Sequence, residues 1–300
     1  MKSVTAKTNT LRRAVATASL RAAQATIERL QSNDLPKKDV LPVARVAGVC
    51  AAKRTTDLIP YCHPVPIDSV EISFEVGDDR IDISAAVEAV WKTGVEMEAL
   101  AAATVAALTI YDMLKPVDTH ILIENVKLES KRGGKREFSR RARKGLKAAV
   151  IVTSDSTYEG TREDRSGRLV CQRLESYGIV PAYEVLPDEE EQIVEALLKL
   201  CKAGTDVVLT TGGTGLGPRD VTVEATRRVI EREIPGIVET GRAYGQQRTP
   251  YAMLSRGVAG VRGQTLIVNL PGSSRGATET MSAIFPGMLH TLGMLEGEGH

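Results

Sequence analysis

Two short segments concentrate the side chains that could do chemistry. Residues 57–67 read DLIPYCHPVPI and set a phenol, a thiol and an imidazole (Tyr61, Cys62 and His63) among three prolines. Pro60, Pro64 and Pro66 fix φ and push the residues before them into extended backbone, so the loop is stiff. Such stiffness suits a ligand met by pre-placed groups. A zinc site or an inert buried Cys–His pair would use the same residues, but no second ligand pair at zinc spacing accompanies them. Residues 210–222 read TTGGTGLGPRDVT. Around Gly212, Gly213, Thr214 and Gly215 the backbone N–H groups are little obstructed, which makes a cradle for phosphate or another oxygen-rich ligand. No Gly-Lys-Ser/Thr follows, so this is not a Walker A loop, and it does not match the GxGxxG dinucleotide fingerprint. Tight turns alone would also use such glycines.

Carboxylates and lysines flank both segments. Glu96 and Glu98 alternate at the start of an Ala/Leu-rich stretch that predicts a helix over 97–114. Asp112 and Lys115 are i,i+3 neighbours there, either a surface pair worth little or a proton-transfer pair if burial strips lysine of its charge. Glu98 and Asp112 lie fourteen residues apart, about 21 Å along one straight helix. One small substrate cannot touch both, so if both are catalytic a second subunit completes the site, and a homo-oligomer is expected. In the second segment Asp220 follows Arg219, and Asp188 ends an earlier strand. Carboxylates facing a phosphate cradle read as magnesium ligands, or else as helix N-caps.

The elements that must position these groups change character midway. Residues 11–31 predict a helix, with a basic, Ser/Thr/Ala-rich composition that a transit peptide would share; a domain helix is the reading taken. A loop-rich stretch runs to residue 67. Alternation over 70–76 and 81–91 around a turn at 77–79 predicts a hairpin, and 121–128 a further strand. Antiparallel strands backed by two helices make a two-layer α+β domain. Residues 130–147 carry nine basic residues against one acid and read as a solvated linker. A nucleic-acid patch is disfavoured because only Phe138 interleaves.

Beyond residue 147, apolar runs at 148–152, 207–209 and 266–270 alternate with helical segments near 166–177, 190–201, 223–233 and 278–295. That rhythm predicts βαβ units and a parallel sheet. Polar loops at 154–155, 187–188, 210–215 and 271–272 would then converge on the carboxyl edge of the strands, where open α/β sheets bind ligands. The fold expected is an α+β N-terminal domain over 1–138, a basic linker over 139–146 and a three-layer α/β domain with a mostly parallel sheet over 147–300.

Composition narrows the classes. The chain has 300 residues, 42% hydrophobic, with a formal net charge of +1. Two globular domains are expected. Near-neutral charge supplies no field for nucleic acid or an anionic membrane surface, and no apolar run approaches the roughly 20 residues of a membrane helix. Four scattered cysteines without a CxxC fit reduced thiols in a cytoplasmic protein.

The segments KKDVLPVARVAGVCAAKRTTDLIPYCHP and KTGVEMEALAAATVAALTIYDMLK resemble the MoaC family of cyclic pyranopterin monophosphate synthases, over nearly all of residues 1–135. That resemblance implies a ferredoxin-like fold, a hexamer built as a trimer of dimers, and no cofactor. It implies rearrangement of 3',8-cyclo-7,8-dihydroguanosine 5'-triphosphate to cyclic pyranopterin monophosphate, with loss of pyrophosphate. Matched by motif, Asp112, Lys115, Lys37, Lys131 and His63 are expected to be catalytic. Tyr61, Cys62, His63, Glu96, Met97, Glu98 and Lys53 are expected to contact substrate. A triphosphate calls for the lysines, and opening and reclosing a purine-derived ring calls for acids and bases such as Lys115, Asp112 and His63. The family's usual MVDVS-like start is replaced here by Met1-Lys2-Ser3-Val4-Thr5.

The segments VTSDS, LPDE, VVLTTGGTGLGPRDVT, MLSR and LIVNLPGSSRG resemble the MogA/MoaB family. This resemblance implies a trimeric α/β domain that binds molybdopterin and adenylates it with ATP and magnesium. Asp188 and Asp220 are the expected acids and Mg2+ ligands. Gly212, Gly213, Thr214 and Gly215 form the binding loop, and Ser255, Pro271 and Gly272 lie in matching motifs. Together the halves predict a bifunctional homo-oligomeric enzyme of molybdenum cofactor biosynthesis. The alternative makes the second half a non-catalytic pterin-binding or oligomerisation module.

Overall fold

The computed structural model describes residues 1–134 and 145–297. Most of the predicted linker, 139–144, lies outside the described residues. The chain divides into two compact units, Met1–Glu137 and Phe138–His300.

The first unit is a four-stranded antiparallel sheet with helices on one face. In chain order it contains β1 (Thr10–Arg21), α1 (Gln24–Gln31), α2 (Val40–Lys53), α3 (Thr55–Leu58), β2 (Ser69–Val76), β3 (Arg80–Trp91), α4 (Glu96–Leu114) and β4 (Leu122–Arg132), with the strands ordered β2-β3-β1-β4. The hairpin, α4 and the final strand stand where the sequence pattern puts them. The helix predicted over 11–31 is instead the central strand β1 followed by the short α1. Ala14, Ala16, Ala18 and Leu20 alternate inward. Alanine's helix propensity hid that period of two, because burial between two strands overrides propensity. Small residues there serve packing. Ala85 and Ala89 of β3 and Ala99, Ala102, Ala103, Ala106 and Ala107 of α4 share the same core, so helix and sheet approach closely.

The stretch read as loop contains α2, whose Pro42 falls in the first turn, where a missing N–H costs nothing. Gly48 lets α2 press on α4: a Cβ there would stand 2.9 Å from the Ala102 carbonyl oxygen and 2.5 Å from Ile72 Cδ1. Residues 130–132, assigned to the linker, extend β4. Contrary to the sequence expectation, α4 is long and apolar enough by length and composition to cross a membrane. Half of it is buried, and it packs as the core helix of this unit.

The second unit is a six-stranded sheet: β5 (Ala148–Thr153), β6 (Ala182–Leu186), β7 (Val207–Thr211), β8 (Arg232–Glu233), β9 (Ala259–Arg262) and β10 (Thr265–Leu270), ordered β6-β5-β7-β10-β9-β8. β6, β5, β7 and β10 run parallel, whereas β9 and β8 are antiparallel additions. Neighbouring residues of a strand enter opposite cores: Val150, Leu209 and Val268 pack with Val170, Leu174 and Met281, while Ile151, Val208 and Ile267 pack with Ile193, Leu197 and Val229. Helices therefore cover both faces, and the unit has three layers. The 223–233 segment ends as a helix at Val229 before β8, and the 278–295 segment is broken at Phe285–Pro286 between Ser274–Ile284 and His290–Leu295.

Candidate functional site

In the first unit α2 and α4 run antiparallel, so each end of α4 meets a different part of the chain. At its C-terminal end Asp112 stands between two ammonium groups. Lys37 Nζ, just ahead of α2, lies 2.6 Å from one carboxylate oxygen, and Lys115 Nζ lies 2.8 Å from the other. Lys37 also donates to the Asp112 carbonyl at 2.8 Å. Hydrogen bonds from Lys115 and Lys37 pull the Asp112 carboxyl down to about 2, and Asp112 in turn holds Lys115 above the usual lysine range. All three side chains are exposed by 40–56%. The burial that would uncharge lysine is therefore absent within one chain, and the trio is an ion cluster.

At the N-terminal end of α4, Lys131 Nζ lies 3.2 Å from Glu96 Oε1. Arg12 joins them: its guanidinium donates to the Trp91 and Lys92 carbonyls, and Glu96 offsets the desolvation that lowers its pKa. Arg12 had no signal in the motif, because only β1's pairing with β3 brings it here. Glu98 is buried, and desolvation, then the Glu96 charge, raise it above the ordinary glutamate range. Burial and the nearby Glu98 also raise Cys62, so that group is a thiol rather than a thiolate. The proline-braced loop thus belongs to this end, with His63 half-buried and Tyr61 78% exposed. Met97 is exposed beside it, and Lys53 is exposed at the end of α2. The predicted residues form two clusters, one at each end of a 19-residue helix.

In the second unit the predicted loops do converge. Each of β5, β6, β7 and β10 ends in one: residues 154–155, 187–188, 212–222 and 271–273. Gly212 and Gly213 have φ of +108° and +57°; a Cβ on Gly212 would stand 2.1 Å from the Thr153 carbonyl oxygen, and one on Gly213 2.2 Å from Thr222 Oγ1. Here only glycine fits. Arg256, beside Ser255, fastens the loop by donating to the carbonyls of Gly215 (2.6 Å) and Asp220 (2.7 Å) and pairing with Glu224. Beneath it, buried Asn269 donates to Thr210 and Thr226, 2.8 Å each.

The two acids are differently held. Asp220 Oδ2 accepts from Gly217 N at 2.7 Å. Asp188 exchanges hydrogen bonds with Asp155, N to Oδ1 at 2.9 Å and Oδ2 from N at 3.0 Å. Its Oδ1 is buried without a partner among the described residues, and a Cβ on Gly213 would lie 3.3 Å from it. Burial, then the charges of Asp155 and Asp220, raise Asp188 above the ordinary aspartate range. Arg219 grips Asp155 through two 3.0 Å bonds and Glu189 through one of 2.8 Å. Neither acid is a simple N-cap, since neither side chain caps its following helix. Among the described residues no group of three or more His, Cys, Asp or Glu could hold a metal ion. Magnesium here would therefore take one or two carboxylates and draw further oxygens from substrate.

Two cavities adjoin this edge. One of about 390 Å³ is mostly apolar and takes in Ser255, Pro271, Tyr251 and Val238. The other, of about 320 Å³, is polar and takes in Gly212 and Gly272. Ser273 lines both, and Asp188 and Asp220 line neither.

The MoaC family profile matches residues 1–134, and the probable molybdopterin binding domain profile matches residues 149–290. The chain is 42% identical to the molybdenum cofactor biosynthesis bifunctional protein of Chlorobaculum tepidum, over all of this chain and 96% of that one. It is 49% identical to the cyclic pyranopterin monophosphate synthase of Corynebacterium efficiens, over 45% of this chain and 87% of that one. The crystal structure of a tungsten cofactor synthesizing MoaB from Pyrococcus furiosus matches with a TM-score of 0.48 and 34% identity, covering 51% of this chain and 99% of that chain.

Proposed function

The chain belongs to the family of molybdenum cofactor biosynthesis bifunctional proteins, and from that premise we propose two chemistries, one in each half. The N-terminal half converts the cyclic dihydroguanosine triphosphate to cyclic pyranopterin monophosphate and pyrophosphate. Its strand order within a β1-α-β2-β3-α-β4 sequence supports a ferredoxin-like fold. The observation that carries the site is the Lys37–Asp112–Lys115 cluster: three charges within 2.8 Å contacts, gathered from chain segments 75 residues apart.

Both lysines enter as ammonium groups, held so by Asp112, and neutralise the phosphates while they leave. Lys115 donates its proton as a general acid once substrate phosphate competes with Asp112 for its ammonium group; the carboxylate then takes part in returning it. Glu98, held protonated longer than an ordinary carboxyl, offers a hydrogen-bond donor to the ring from the other cluster. Because the clusters occupy opposite ends of α4, one site takes one cluster from each of two subunits, and the protein acts as a homo-oligomer. Turnover by a monomeric form at full rate would sink this arrangement.

The C-terminal half adenylates molybdopterin: a pterin phosphate oxygen bonds to the α-phosphorus of ATP and pyrophosphate departs. The orphaned Asp188 Oδ1, with Asp220 nearby, fits a divalent cation, for which Asp188 and Asp220 are the ligands. Magnesium bound there would neutralise charge developing on the phosphates. The chain's own part is to brace Asp188 through Asp155 and Arg219, and to offer loop N–H groups at Gly212–Gly215. Purified protein given molybdopterin, ATP and magnesium should release pyrophosphate. Pterin binding without release would leave this half as a binding module.

A further inference from the structure

Two carboxyls are buried among the described residues of the first unit, Glu98 and Asp118. Glu98 belongs to the cluster at the N-terminal end of α4. Asp118 belongs to neither cluster. It lies beyond the other end of α4, in the turn before β4, and its side chain bonds to none of Lys37, Asp112 and Lys115. A buried carboxylate is costly unless donors satisfy it, and here three do. Oδ2 accepts from Ala23 N at 2.8 Å and from Thr26 Oγ1 at 3.0 Å, and Oδ1 accepts from His120 N at 2.9 Å. Thr26 is itself buried, so this carboxylate is closed to substrate.

Two of the donors belong to the start of α1, whose own N-cap residue, Ala23, has no side chain to cap it. Asp118 supplies that acceptor from 95 residues away, and its charge suits the positive end of the helix. The contact joins the two segments that make the lysine cluster. On one side, residues 115–118 fold against the end of α4. Lys115 N donates to Tyr111 O at 2.9 Å, and Val117 N and Asp118 N both donate to Leu114 O, at 2.9 and 3.2 Å. Fixing Asp118 therefore fixes the backbone from which the Lys115 side chain extends. On the other side, the chain leaving α1 folds back on that helix. Asp34 N donates to Arg29 O at 2.8 Å, Arg29 Nε to Asp34 O at 2.9 Å, and Lys38 Nζ to Asn33 O at 2.6 Å. Leu35 is buried in the same core as Ile27 of α1. Lys37 thus stands where α1 places it. Asp112 meets its two ammonium groups at 2.6 and 2.8 Å only if α1 and the end of α4 keep their spacing. Exposed ion pairs are too weak to impose that spacing themselves.

We propose that Asp118 is a positioning residue of the synthase: its buried carboxylate ties α1 to the turn after α4 and so sets Lys37 and Lys115 at their distances from Asp112. The role rests on the reading of that cluster as catalytic.

The test is steady-state synthase kinetics on the full chain, with thermal unfolding followed in parallel, for Asp118→Asn, Thr26→Val and Lys115→Ala. Asp118→Asn keeps the shape of the side chain but turns one acceptor into a donor that faces donors. Its kcat per folded molecule should fall about 10–100-fold, with KM little changed. Thr26→Val leaves the carboxylate its two backbone donors and should fall in the same direction by less, so the role stays readable if Asp118→Asn does not fold. In both variants the alkaline limb of the kcat/KM profile should move to lower pH. Asp112 holds Lys115 above the usual lysine range, and that support weakens as the pair loosens. Activity lost only in proportion to folded protein, or not lost at all, with the pH profile unmoved, overturns the positioning role; a loss in Lys115→Ala would still leave the cluster standing. Full turnover by Lys115→Ala removes the catalytic reading of the cluster, and the positioning role with it.

Discussion

The two halves solve the placement of a site in opposite ways. In the C-terminal half a parallel sheet ends four strands at one edge, so residues far apart in sequence converge within a single chain. In the N-terminal half an antiparallel sheet has no such edge. Its candidate residues are strung along α4, with Lys37, Asp112 and Lys115 at one end and Arg12, Glu96, Glu98 and Lys131 at the other. The first arrangement gathers its acids and loop within one chain; the second leaves its two clusters at opposite ends of one helix. Charge follows the same division. The exposed N-terminal cluster is paired within itself, whereas among the described residues the C-terminal edge keeps an unpaired carboxylate oxygen beside its turn.

The sharpest break between the halves comes from substitutions at the C-terminal end of α4. Asp112→Ala or Lys115→Ala should lower synthase turnover by about 10²–10⁴-fold while pyrophosphate release by the other half continues. Mixing Lys115→Ala with Lys131→Ala protein under subunit exchange should then restore about a quarter of the sites, if each takes one cluster from each member of a two-fold pair. No recovery on mixing would place both clusters in separate roles. In the other half, Asp188→Asn should lower adenylation by about two orders of magnitude, given the several kcal/mol that a metal's charge supplies. Mixing it with Asp220→Asn should restore nothing, because both acids serve one edge.

A smaller effect tests how the acids are held. Arg219 touches no proposed ligand oxygen, yet it grips Asp155, which exchanges two hydrogen bonds with Asp188. Arg219→Ala should weaken Mn2+ binding, read by paramagnetic resonance, and activity by about 10–100-fold, with Arg219→Lys intermediate. Unaltered Mn2+ binding would make the clamp a loop brace only. In the N-terminal half the corresponding support between α2 and α4 is apolar. Gly48→Ala should cost about 1–3 kcal/mol by chemical denaturation, since its Cβ meets the Ala102 carbonyl and Ile72.

How much of this was legible follows the same contrast. Strand–loop alternation exposed the C-terminal sheet and its converging loops, because buried parallel strands read as unbroken apolar runs. Of β6 only the end at 187–188 was marked, and the short β8 and β9, of two and four residues, escaped for want of patterning. In the N-terminal half the central strand was hidden by alanines that favour helix when read locally. α2 was hidden by a proline that its first turn tolerates. Motif residues such as Asp112 and Lys115 were plain in the sequence, and Asp155 and Arg256 stand in the segments VTSDS and MLSR, but what Arg12, Asp155 and Arg256 hold arises from strand pairing and loop closure, which no local spacing encodes.

The finest distinction concerns pH. Glu98 and Asp188 are both raised above their ordinary ranges, by burial first. For a carboxyl of this kind the folded state binds the proton more tightly than the unfolded one. Its stabilising contribution is therefore complete below the unfolded value and is lost as pH rises through the folded value. Replacing either by its amide removes that loss, so the melting temperature of Glu98→Gln should fall less between pH 4.5 and 7.5 than that of the unsubstituted protein. Asp188→Asn should behave likewise in the other half. The activities should part company. Glu98→Gln keeps a hydrogen-bond donor and should retain synthase turnover within about tenfold, whereas Asp188→Asn loses the anion its cation requires. If Glu98→Gln were as damaging as Asp188→Asn, Glu98 would act as an anion too, and the two raised carboxyls would share one role despite their different settings.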